Sequence, residues 1–389
     1  MTTETRPEEA LTARFAAIVD RFRRQGSTEG IADLEACIDQ AEAAALRGEI
    51  AKFLGFYFLR AGQIDKSIRW SDMACTFLPH DHECLYNATF ARFQSGRWEE
   101  TITLAERGLD LVHDPLEFCN ILCTTLGALG RQDEAAAFGV RALQLKQATA
   151  VTAAKDLSRV PVPPFDATSP LKNIISFSLF GAAPKYTDGA VLNARAAPFL
   201  YPGWTCRFYI DETVPRSVRE ALISEGAQVM MVGGLPQTPY GTFWRFLAAE
   251  DASIDRYILR DADSLINTRE RVAVDEWIQS GRHFHVMRDH FDHAELVLAG
   301  MWGGVRGALP PVIAAARRWF GATPQIPGKT ADQQFLREVL WPTIRQSVLT
   351  HDSQFDFGEH RDFPAAGRLP PGCWVGCQWT QLTGRPGAA

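Results

Sequence analysis

The sequence predicts two joined architectures, an all-α array followed by an α/β domain with a mixed, mostly parallel sheet. Three observations predict them. Gly62, Gly96 and Gly130 recur 34 residues apart in a helical first half. Prolines at 161, 163, 164 and 170 then interrupt all helical periodicity. From residue 173 onward, short β-branched and aromatic runs alternate with helical patterns. A chain of 389 residues that is 46% hydrophobic can supply a core for each part.

In the array, Ala74, Gly108 and Ala142 keep the 34-residue period, as do Ser67, Thr101 and Ala135. Small residues at fixed positions let paired helices approach closely, and a glycine in each turn avoids the strain of positive φ. Apolar helices such as IAKFLGFYFLR and LEFCNILCTTLGAL precede each glycine, and Pro79 closes the first unit. The pattern resembles the tetratricopeptide repeat. The resemblance covers 48–150, with 1–47 a degenerate repeat or cap, and implies a concave face that binds a peptide or protein. His80, His82 and His113 are expected at helix ends or loops, in solvent.

Residues 151–171 read as an extended, semi-rigid linker, which leaves 172–389 as the α/β domain. Its elements follow in order. NIISFSLFG is a buried strand, YTDGAVLNARAAPFL a helix and WTCRFYID a strand. VPRSVREALISEG is a helix stopped by Gly226, AQVMMV a third strand and TFWRFLAAED a helix. DRYILRDADSLI is a strand running into a loop. Such alternation gives a largely parallel sheet between helices, with ligands at the carboxyl ends of its strands.

Asp261 and Asp263 leave the end of the apolar run Tyr257-Ile258-Leu259. Two carboxylates two residues apart repel one another, and a hard divalent cation removes that cost. A C-terminal half built this way resembles the GT-A glycosyltransferases. Their Asp-x-Asp binds Mn2+ or Mg2+ and the diphosphate of a nucleotide-sugar donor. The resemblance implies that the first strand, with Ser176 and Phe177, borders the nucleotide. It matches Arg245, in TFWRFLA, to a residue that contacts the nucleotide. It sets Ala299, Gly300 and Met301 beside the donor sugar and Asp332, next to Gln333, at the acceptor. His351, or else His360, completes the metal shell with Asp261 and Asp263. Arg260 or Arg288 adds positive charge at the departing phosphates. The cation would stabilise the leaving diphosphate as a Lewis acid. If the reaction inverts, Asp332 is the base that activates the acceptor hydroxyl.

Other residues carry plainer readings. Arg288 and Asp289 also read as a strand-end salt bridge. His290 and His293 lack an evident third ligand, and Asp332 also reads as an N-cap. Trp302, Trp319, Trp341, Trp374 and Trp379 read as core or pocket walls. The eight cysteines read as reduced thiols of a cytoplasmic protein, because the start is acidic where an export leader is basic and then apolar. A net charge of -6 excludes a generally basic nucleic-acid binder, and the chain has no uncharged apolar run long enough to span a membrane. The expected partners are therefore a nucleotide-sugar donor, a protein or glycan acceptor, and a protein partner on the repeats. The alternatives are a haloacid-dehalogenase-like phosphohydrolase, which should open its domain on the Asp-x-Asp strand, and an inactive repeat scaffold.

Overall fold

The computed structural model describes residues 7–111, 114–150, 153–232, 241–323 and 330–384; His113 lies outside them. The chain forms two compact units, Met1–Ala142 and Leu143–Ala389.

The first unit is helical: α1 (Pro7–Gln25), α2 (Ile31–Cys37), α3 (Ala44–Arg60), α4 (Ile64–Phe77), α5 (His82–Gln94), α6 (Trp98–Leu111), α7 (Leu116–Ala128) and the start of α8 (Gln132–Ala148). From α3 to α7 each helix packs on the next, so the contacts are local in sequence. The 34-residue period is visible in the hydrogen bonds. Gly62, Gly96 and Gly130 have φ of 71°, 72° and 74°. After each, the next residue donates its N–H five residues back: Gln63 to Phe58 O, Arg97 to Arg92 O and Arg131 to Leu126 O, at 2.9, 3.0 and 2.9 Å. These are three copies of one Schellman turn, which satisfies carbonyls that the helix end would leave open. The small residues sit at the crossings. A methyl group on Gly108 would come within 2.6 Å of the Phe118 ring, and Ala74 and Ala142 are wholly buried. Residues of α1 and α2, among them Leu11, Ile18 and Leu34, share one core with Leu54 and Trp70. His80 is exposed, and His82, at the start of α5, packs one side of its ring against Tyr86 and Phe118 while its side chain stays 39% exposed.

The proline-rich stretch is not a free spacer. Lys155 donates its N–H to Thr343 Oγ1 at 2.9 Å, the Val160 carbonyl meets His283 Nε2 at 2.8 Å, and Phe165 packs on Trp204. Leu157 is buried. Prolines preset an extended chain, and these contacts strap it onto the second unit.

That unit is built on seven strands among the described residues: β1 (Asn173–Leu179), β2 (Thr205–Ile210), β3 (Gln228–Met231), β4 (Arg256–Arg260), β5 (Phe284–Arg288), β6 (Met301–Val305) and β7 (Val348–Asp352). Their order is β3-β2-β1-β4-β6-β5-β7. All pairings are parallel except the two made by β6. The sheet is therefore mixed and mostly parallel, as expected. Its helices are α9 (Pro184–Leu200), α10 (Arg216–Ser224), α11 (Thr268–Ser280), α12 (Val312–Ala322), α13 (Ala331–Phe335), α14 (Trp341–Ile344) and α15 (Trp379–Thr383). The core strands β1 and β4 are buried along nearly their whole length, including the polar residues Ser176, Arg256 and Arg260 that flank their apolar runs.

Two elements differ from expectation. Residues Gly241–Glu250 form a 3₁₀-helix rather than an α-helix. Its backbone docks on β1: Ser176 Oγ donates to the Arg245 carbonyl at 2.8 Å, and the Arg245 N–H donates to Ser178 Oγ at 2.9 Å. The N-cap of α13 is Thr330, so Asp332 stands inside the first turn and is not the cap.

Candidate functional site

The carboxyl ends of β1 and β4 lie side by side, since Phe177 pairs with Arg260. Asp261 follows β4 directly, and its side chain is 50% exposed even though protein surrounds it closely. It therefore lies on the floor of a depression. Gly300, just before β6, forms part of the wall, because a methyl group there would stand 2.0 Å from Asp261 Oδ2 and 2.9 Å from the Asp261 backbone nitrogen. Only glycine lets the carboxylate occupy that place.

Arg245 organises the centre. Its guanidinium is buried and donates to the Asp261 carboxylate, to the Arg260 carbonyl at 3.1 Å and to Asp332 Oδ2 at 2.8 Å. Asp332 is only 3% exposed, and its other oxygen accepts the Gln333 N–H at 3.0 Å. The two acids respond differently to one cation. Burial alone would raise the Asp261 carboxyl, but the Arg245 charge and hydrogen bond hold it below the usual carboxylate range. Burial pushes Asp332 above that range, since the help from Arg245 is shared and Asp261 adds repulsion. Burial would lower Arg245 itself, but the two carboxylates keep it above its ordinary value.

Asp263 turns to a different cation. Lys185 Nζ lies 2.9 Å from Asp263 Oδ2. This lysine went unnoticed in the sequence, although its position marks it: it follows Pro184 at the start of α9, where the helix dipole disfavours a cation. The nearby acids account for it. The turn carrying both acids is fixed from behind. Asn193 on α9 donates to the Ser264 carbonyl and accepts the Ile266 N–H, both at 2.9 Å. The Trp379 N–H donates to the Asp263 carbonyl at 2.9 Å, and the Trp379 indole donates to the Lys185 carbonyl at 2.9 Å. At the carboxyl end of β1, Phe180 is 45% exposed and meets Trp244 edge to face, 5.7 Å between ring centres.

Asp261, Asp263, Arg245, Asp332 and Gly300 are thus brought together, and the other expected residues are placed elsewhere. Ser176 is buried against Arg245, and Phe177 stacks on Phe208 at 4.6 Å inside the core, so neither side chain opens to the depression. Arg260 is 0% exposed beneath the acidic turn, where it binds the Gly300 carbonyl at 2.9 Å, Ser264 Oγ at 3.1 Å and Glu270 at 3.2 Å. Its charge holds the turn and has no path to a ligand. Met301 is buried against Gly376.

His351 stands on β7, three strands from β4 and roughly 14 Å away at ordinary strand spacing. It is buried between His285 at 2.8 Å and Glu276 at 3.1 Å, and burial lowers its pKa. His360 bonds the Gly358 carbonyl in the loop after β7. Arg288 and Asp289 do not form a solvated strand-end bridge: both are buried, and each pairs with a different residue, Arg288 with Asp352 and Asp289 with Arg269. His290 stacks on Trp374 at 3.8 Å, while His293 is buried with its pKa lowered to about 3, chiefly by desolvation. Trp302, Trp319, Trp341 and Trp379 are core residues.

Among the described residues no group of three or more His, Cys, Asp or Glu side chains converges as a metal cage. Asp261 and Asp263 nevertheless suit a hard cation. Mg2+ is commonly held by one or two carboxylates, with water and substrate phosphates filling its other positions. Lys185 occupies the Asp263 carboxylate that such a cation would share.

No family model matches the chain, and no curated protein matches it in sequence. Among solved structures it is similar to a mutant O-GlcNAc transferase of Thermobaculum terrenum, at 16% identity and a TM-score of 0.31 over 57% of this chain. The match spans 47% of that transferase, so the chain covers about half its length. It is also similar to glucosyl-3-phosphoglycerate synthase of Mycobacterium tuberculosis, at 13% identity and a TM-score of 0.28, over 50% of this chain and 73% of the other.

Proposed function

We propose that the second unit is a glycosyltransferase that moves a sugar from a nucleotide-diphosphate donor to a protein or glycan acceptor. The observation that carries this reading is the half-exposed Asp261 at the strand ends, fixed by Arg245 and Gly300, with Asp263 and Lys185 beside it. A depression with both carboxylates and cations suits a ligand that is anionic and brings its own metal.

In this reading Asp261 and Asp263 hold Mg2+ or Mn2+, which when bound supplies Lewis-acid stabilisation to the leaving diphosphate. Lys185 turns from Asp263 to the diphosphate and adds positive charge as the glycosidic bond breaks. Arg245 stays buried and keeps Asp261 ionised and aimed. Phe180 and Trp244 offer an aromatic face to the nucleotide base. Asp332, made more basic by burial, takes the proton of the acceptor hydroxyl if the reaction inverts.

The helical unit is proposed to be a tetratricopeptide-type array that recruits the acceptor. A row of half-buried rings along α5, Tyr86, Phe90 and Phe93, with neighbouring centres 5.6 and 5.9 Å apart, supports an apolar peptide contact. Substituting Tyr86 and Phe90 by alanine should leave donor hydrolysis intact and impair transfer to the acceptor.

The test of the activity is release of nucleotide diphosphate from a panel of UDP-, GDP- and TDP-sugars with Mn2+. Turnover by the wild type and its loss in Asp261→Ala and Asp263→Ala is the expected result. No turnover of any donor, or unchanged Mn2+-dependent rates in both variants, would overturn it.

A further inference from the structure

A cavity of about 270 Å³ opens in the second unit, away from the acidic turn. Val348 and Thr350 of β7 form part of its lining, together with Arg288 at the end of β5. β7 is the far edge strand, three places from β4, so this cavity shares no residue with the site above.

Its lining is rich in donors and poor in acceptors. Arg282, Arg288 and Arg345 contribute three guanidinium groups against one carboxylate, Glu359. Arg288 is 1% exposed, anchored by Asp352 and by the carbonyls of Glu295 and Leu296 at 3.3 and 3.2 Å. Arg282 reaches Glu359 at 3.1 Å, but the glutamate side chain is 83% exposed, so the tether is easily exchanged. Arg345 has no carboxylate within ion-pair distance among the described residues. Trp341 lines the cavity as well, and its buried indole N–H has no hydrogen-bond partner among them. A buried donor left unpaired costs free energy that an arriving acceptor recovers.

The remaining walls include aromatic faces. Phe357 lies 5.9 Å from the Arg288 guanidinium, and Trp341 stands on α14. The volume far exceeds the ~10–15 Å³ of probe space that one water needs, so there is room for more than a bare phosphate. Arginine forks match phosphate oxygens in pairs, and aromatic faces suit a sugar ring.

We propose that this cavity binds a small phosphorylated organic molecule, of the size and class of a hexose phosphate, independently of the donor site. The test is calorimetric titration of the full chain with glucose 6-phosphate and, separately, inorganic phosphate, at fixed ionic strength. Glucose 6-phosphate should bind several-fold more tightly than phosphate. Arg345→Glu, at an exposed position that leaves the fold intact, should weaken it by about tenfold or more, the loss of one charge-assisted bond. Glu359→Gln should tighten it, and Asp261→Asn should leave it unchanged. The proposal is overturned if neither compound binds, if both bind equally, if Arg345→Glu binds as well as the wild type, or if Asp261→Asn abolishes the binding. None of these outcomes bears on donor turnover, so the two readings fail separately.

Discussion

Replacing Arg245 by methionine, unbranched, apolar and uncharged, probes the centre of the site without relying on any substrate. The guanidinium is 3% exposed and neutralises Asp332, itself 3% exposed, and the more open Asp261. Breaking one side of a buried ion pair costs about 3–5 kcal/mol, since the remaining charge is stranded. Here the stranded charge is chiefly Asp332, because water reaches Asp261. For a unit of this size ~1 kcal/mol moves the melting temperature by about 2–4 °C, so a fall of roughly 6–20 °C is expected near neutral pH.

The loss should depend on pH with a definite sign. Asp332 already has a raised pKa, and without Arg245 it rises further. A carboxyl raised in the folded state destabilises only when ionised, so the penalty grows as pH climbs from the unfolded value through the folded one. The variant should therefore lose less stability at pH 5.5 than at pH 8, measured by urea denaturation. Adding Asp332→Asn should recover about half the loss or more. An equal loss at both pH values, or no recovery in the double variant, would refute the assignment of Asp332 as the stranded charge.

Three further outcomes can be checked. Gly300→Ala would push the Asp261 carboxylate by about 1.4 Å to reach ordinary contact, a shift that in a positioned group costs on the order of 100-fold in donor turnover, and because the methyl would also crowd the Asp261 backbone nitrogen the melting temperature should fall as well. If Asp332 is the base, the rise of transfer rate with pH should have its midpoint above the normal aspartate range, and Asp332→Asn should remove that limb; a limb that persists excludes the role. Gly62→Ala and Gly130→Ala, at positive φ with open space around each, should each cost about 1–2 kcal/mol by denaturation through backbone strain alone.

Most of the architecture was legible because it rests on local chemistry. The 34-residue period is written in residues whose roles are steric and nearby: glycine where φ must be positive, small side chains where helices cross. The alternation of apolar runs and helices likewise named the first four strands, and β4 ends one residue before Asp261. The family resemblance set Gly300 beside the donor sugar; only the fold shows it standing against the Asp261 carboxylate.

What the tertiary structure decided is which charges meet. Ion pairs within the site join residues 16, 78 and 87 positions apart in Arg245–Asp261, Lys185–Asp263 and Arg245–Asp332, separations that no local pattern encodes. Burial separated arginines that look alike in sequence: Arg245 reaches the depression floor, while Arg260 is sealed under the turn by Glu270 and Ser264. Strand order put His351 on the far edge, because β6 and β5 intervene between β4 and β7. Periodicity fixes which face a side chain takes, but the neighbour it meets depends on how the strands are ordered and how the chain crosses between them.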